Sequence, residues 1–113
     1  HPVVRKSLVE ALSTLGYRVL AVSTAEEALD LDLGAVDLVL SDQVLPGMSG
    51  LELCDALRAG NPALPMVIMS GYTDDAALNE RVRRGEIRFL QKPAGLREIA
   101  HEVRLALGWE EES

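Results

Sequence analysis

A single cysteine, Cys54, occurs in 113 residues. It excludes an internal disulfide and fits a reducing cytoplasm. Inside a predicted helix it reads as a small buried hydrophobe rather than a redox centre. No apolar run approaches the roughly 18 residues of a membrane span, and no signal peptide is expected ahead of the fold. Basic residues are outnumbered, 11 to 18, for a net charge of -7, so the basic patch that marks a nucleic-acid binder is not expected. Repeats, linkers and low-complexity stretches are lacking too. What is there is one domain's length of chain, 48% hydrophobic and 26% charged, ordinary values for a soluble globular protein.

Helical and strand-like segments alternate along it. Val4, Leu8, Ala11, Leu12 and Leu15 line one face of a helix over Pro2–Leu15. Arg18–Val22 reads as a short strand. Thr24 with Glu27 forms a capping box for a second helix reaching Leu31 or Leu33. Val36–Ser41 then reads as a strand buried on both faces, ending in Asp42. Pro46, Gly47 and Gly50 force a turn, and Ser49 with Glu52 caps a third helix, Leu51–Arg58. Met66–Met69 is a strand leading into Ser70, and Thr73 caps a fourth helix with Asp74 and Asp75 in its first turn. Ile87–Leu90 is a strand leading into Gln91, Lys92 and Pro93, and Leu96–Leu107 is a fifth helix. Strands alternating with helices imply a parallel sheet.

A carboxylate just past a buried strand lies where open α/β sheets gather ligands. Taken alone, Asp42 reads equally as a solvated loop aspartate. Ser70 and Lys92, however, end two further strands. If the three are parallel neighbours, an acid, an alcohol and an amine meet at one edge, a trio suited to carrying a phosphoryl group on the carboxylate.

The segments SDQVLPGMSG around Asp42, MSGYTDD around Ser70 and FLQKP around Lys92 resemble those of receiver (response regulatory) domains of two-component phosphorelay systems. The likeness runs over about residues 2–107, and the last two segments are most similar to receivers at the C-terminal end of hybrid sensor histidine kinases. The resemblance implies a flavodoxin-like (CheY-like) doubly wound parallel sheet of order 2-1-3-4-5 with helices on both faces. It implies a signalling switch, not a turnover enzyme, in which Asp42 is phosphorylated from phosphohistidine on a histidine kinase or histidine phosphotransfer domain. Lys92 would then pair with the phosphoryl group, Ser70 would hydrogen-bond it, and Phe89 would be the switch aromatic. The fourth helix, the Lys92 strand and the fifth helix would form the output face. Pro93 would follow a cis peptide bond. Mg2+ would be held by Asp42, the Val44 backbone carbonyl and an acidic pair ending the family's first strand. Pro46, Gly47 and Gly50 read as loop geometry, and the resemblance implies that Val44 and Tyr72 would line the approach of hydrolytic water.

The sequence departs from the family where it opens directly on the first helix, without the first strand or its acidic pair. It is read as an N-terminally truncated receiver over residues 1–113, with weak or absent Mg2+ binding and a frayed tail over Trp109–Ser113. A strand donated by another copy is the alternative. Ala94 replaces a bulky aromatic that often follows the lysine-proline pair. Asp74 and Asp75 read as a helix cap rather than substitute metal ligands, and His101 as solvated. Arg81, Arg83, Arg84 and Arg88 are either a docking edge for an acidic partner or a solvated charged edge. Two other functions stay open: a pseudo-receiver that binds protein without phosphorylation, and a haloacid dehalogenase-type phosphatase. The latter needs a second aspartate where Val44 stands, and valine cannot move a proton.

Overall fold

Strand β4, Met66–Ser70, lies between two parallel neighbours, β1 (Val39–Asp42) and β5 (Arg88–Gln91). The computed structural model describes residues 2–71 and 74–108, without the side chains of residues 2–7 and 33. Side chains alternate across a strand, and β4 separates two layers by this rule. Met66 and Ile68 join Leu51, Leu53, Cys54 and Leu57 of α3 (Gly50–Arg58) and Leu78 of α4 (Ala76–Arg83). Val67 and Met69 face the other way, toward Leu90 and toward Ile99 and Val103 of α5 (Leu96–Ala106). Helix α1 (Pro2–Thr14) adds Leu8 to that second layer. Leu57, Leu64, Met66, Ile68 and Leu78 are essentially inaccessible to solvent, each stabilising the fold by roughly 1.5–3 kcal/mol relative to exposure.

Register follows from these faces. Val39 pairs with Met66 and Asp42 with Met69, while Val67 pairs with Arg88 and Ser70 with Gln91. The strand ends therefore lie side by side. Cys54 is fully buried in the first layer, and burial pushes its thiol pKa up. That environment fits the small-hydrophobe reading.

Four expectations need correction. Residues 18–22 are not a strand. A strand needs a ladder partner, and among the described residues none is offered to it. Residues 36–38 do not join β1, which starts at Val39 and is half-buried apart from Ser41. Val39 and Leu40 pack against opposite layers, so both faces are covered, though only partly, while no strand of the described residues pairs with its outer edge. Helix α2 (Ala25–Leu29) stops short of Leu31, because the chain turns at Asp32, whose Oδ1 accepts from the Gly34 N–H at 3.0 Å and favours the 3-10 turn Leu33–Ala35. The cap of α4 is Asp75 itself, whose Oδ1 accepts from the Leu78 N–H at 3.0 Å. Thr73, Tyr72 and Trp109–Ser113 lie outside the described residues.

The Ser49–Glu52 capping box is present as expected. Just before it the chain makes an unanticipated hairpin, β2 (Val44–Leu45) against β3 (Met48–Ser49). Pro46 and Gly47 (φ +81°) turn it, as a type II turn requires.

Candidate functional site

Asp42 ends β1, Ser70 ends β4 and Lys92 follows β5, so sheet order alone gathers them at one rim. Two backbone bonds extend the ladder past the strands and hold the rim in register. The Gln43 N–H donates to the Met69 carbonyl at 2.8 Å, and the Lys92 N–H donates to the Ser70 carbonyl at 2.9 Å. The Lys92 ammonium lies 2.7 Å from Asp42 Oδ1, an ion pair spanning the two strands that flank β4. It is not aligned for a hydrogen bond, and Oδ1 is itself inaccessible. The Asp42 side chain is nonetheless 40% exposed, so that exposure falls on the rest of it.

Ser70, 3% exposed, stands on the neighbouring strand one residue beyond the ladder partner of Asp42. Phe89 pairs with Ile68 and packs half-buried against the α3–α4 layer. The Lys92–Pro93 peptide is cis. Val44 is 69% exposed beside the acid, and Pro46 and Gly47 form the hairpin tip.

Gly50 is more than loop geometry. A Cβ there would come 2.5 Å from the Asp42 carbonyl oxygen and 3.1 Å from Gln43 Oε1. Only glycine lets α3 start this close to the acid's own backbone, and its N–H donates to the Gln43 carbonyl at 2.8 Å.

Gln43 escaped the sequence reading. It is 7% exposed, and both ends of its amide are engaged. Oε1 accepts from the Leu51 N–H at 3.0 Å, and Nε2 donates to Asp75 Oδ2 at 2.9 Å. The signal that marks it is parity. Leu40 packs in the α1–α5 layer and Val39 in the α3–α4 layer, so the residue after Asp42 points toward α3 and α4. The Leu78 N–H, and then Gln43, hold the Asp75 carboxyl below its ordinary pKa.

The arginines do not form a free basic edge. Arg81 pairs with Asp55 at 2.7 Å and Glu86 at 2.5 Å, and Arg88 with Glu102 at 2.7 Å. Arg83 pairs with Glu80, and Arg84 lies 3.9 Å from Glu80 and 3.7 Å from Glu86. These partners neutralise the docking edge that the sequence left open. His101 is exposed on α5.

Residues 1–104 match the family described as response regulator receiver domain. The chain is 36% identical over 104 residues to the sensor kinase CckA of Brucella abortus, covering 89% of this chain and 11% of that one. Its fold is similar to a receiver domain protein from Clostridium thermocellum, with a TM-score of 0.85 at 20% identity, covering 96% and 88% of the two chains. The receiver domain of the hybrid histidine kinase CckA aligns with a TM-score of 0.77 at 29% identity, covering 95% and 92%. The chain belongs to the response regulator receiver domains, the phosphoacceptor domains of two-component signalling. It spans half or less of the length of the curated relatives it matches.

Receiver domains generally bind Mg2+ where they are phosphorylated. Among the described residues, no group of three or more His, Cys, Asp or Glu side chains could hold a metal. Asp42 brings one carboxylate, with one oxygen already against Lys92. Near-octahedral coordination by oxygen needs more than that, and the described residues alone do not complete such a site. No helix among them is long and apolar enough to cross a membrane.

Proposed function

We propose that Asp42 is the phosphoacceptor of a single receiver unit over residues 1–113, charged by phosphohistidine on a histidine kinase or histidine phosphotransfer partner. The observation that most supports this is the Asp42–Lys92 ion pair at 2.7 Å. A carboxylate oxygen attacks phosphorus as the nitrogen–phosphorus bond breaks, and the imidazole leaves with its electron pair. The Lys92 ammonium offsets the negative charge on the transferring group. Its position keeps one oxygen occupied while the remainder of the side chain faces solvent.

Ser70 is the hydroxyl donor to the bound phosphoryl group, and Phe89 is the ring that follows Ser70 when that bond forms. The α4, β5 and α5 face carries the change to the next protein. The work is signalling rather than turnover, and a cytoplasmic setting suits a partner that is itself phosphorylated on histidine. Incubating the intact protein with phosphoramidate and Mg2+ should add one phosphoryl group by mass, and Asp42→Asn should abolish it. Labelling that survives the substitution would move the acceptor elsewhere.

A further inference from the structure

We propose that Gln43 is a positioning residue that passes the state of Asp42 to α4 through its hydrogen bond with Asp75. The proposal rests on the reading of Asp42 as phosphoacceptor and adds a route that runs through neither Ser70 nor Phe89.

The connection is short. Gln43 is covalently next to Asp42, and its N–H continues the β1–β4 ladder at Met69. Its side chain is buried and reaches two helix starts at once, the Leu51 N–H of α3 and the Asp75 carboxylate that caps α4. The amide has only one workable orientation. Leu51 presents a donor, so oxygen must face it, and Asp75 presents an acceptor, so nitrogen must face it. Turning the amide over would leave two buried mismatches.

Asp75 is divided in a matching way. Oδ1 holds the Leu78 N–H, which starts α4, and Oδ2 holds Gln43. A movement of the β1 end therefore pulls on the carboxylate that defines where α4 begins. The absent Cβ at Gly50 keeps open the space this arrangement occupies. A phosphoryl group bonded to Asp42 displaces Lys92 from Oδ1 and reshapes the backbone at Asp42 and Gln43. Asp75 carries that shift into the first turn of α4.

Three variants test the link, read by hydrogen exchange at residues 76–79 before and after phosphorylation with phosphoramidate. In the parent protein, phosphorylation should change exchange there several-fold. Asp75→Ser keeps a capping oxygen for Leu78 but is too short for Gln43, so it should phosphorylate normally and lose the α4 response. Gln43→Glu sets a carboxylate against Asp75 and should lose it too. In the double variant Gln43→Glu/Asp75→Asn the donor and acceptor exchange sides. The new amide's oxygen still caps α4 while its nitrogen donates to the carboxylate now at position 43, and the response should return. An unchanged response in Asp75→Ser, or no return in the double variant, overturns the link and leaves the phosphoacceptor reading intact. No adduct on the parent protein overturns that reading, and the link with it.

Discussion

Ile68 and Leu20 are both aliphatic residues in runs that read as strands, yet the first is fully buried and the second is 59% exposed. The same contrast separates two regions of the molecule. From Val39 onward, three parallel strands and three helices close on two apolar layers. Between Leu15 and Leu38 the chain holds one five-residue helix and a 3-10 turn, with Leu15 at 60% and Leu29 at 41% exposure. Residue preference is similar in the two regions, and what differs is pairing. A strand is defined by its neighbour's backbone, so a β-prone run without a ladder partner remains irregular chain.

The largest expected effect tests this contrast directly. Ile68→Ala should lower unfolding stability by about 2–5 kcal/mol, while Leu20→Ala should stay within about 0.5 kcal/mol. Denaturant midpoints measure both, and equal losses would dissolve the distinction between the regions. Next come two glycines. Gly50→Ala drives a Cβ into backbone at 2.5 Å and should cost roughly 1–3 kcal/mol. Gly34→Ala meets only the Asp32 carboxylate at 3.2 Å, a side chain able to swing away, and should be nearly neutral.

Caps sharpen the comparison further. Asp75→Ala should cost about 1 kcal/mol, because α4 is packed through Leu78. Thr24→Ala removes the cap of the five-residue α2 and should cost less, since that helix adds only the small side chains of Ala25 and Ala28 to the core. The smallest effect is in pH. Asp55 has its pKa lowered first by its hydrogen bond with Arg81, and Asp75 first by the Leu78 N–H. A depressed folded pKa contributes stability above the unfolded value of about 4, lost as pH falls below it. Denaturation midpoints should therefore drop below pH 4 more steeply in the parent protein than in Asp55→Asn/Asp75→Ser. Parallel curves would remove these two carboxylates from the acid response.

Much of the rim was legible in the sequence, because the acid, the alcohol and the amine each stand within two residues of the end of an apolar run bounded by turn residues. The family's layered architecture was legible for the same reason. Gln43 was not, since parity gives only the side it faces, while its two side-chain partners stand 8 and 32 residues away. The β2–β3 hairpin was not, because two-residue strands are too short to show alternation. Arg18–Val22 was misread for the opposite reason: its composition favours a strand, but composition supplies no neighbour.

The arginines beside α4 and β5 have one more consequence. Each already has a carboxylate of the same chain against it, so this flank offers little bare positive potential in a molecule of net charge -7. An acidic visitor competes with Glu80, Glu86 and Glu102 for these guanidinium groups. A basic visitor meets attraction from the chain's excess of carboxylates, felt over about 8 Å at physiological ionic strength. Encounter rates should accordingly favour cationic surfaces and fall as salt is added.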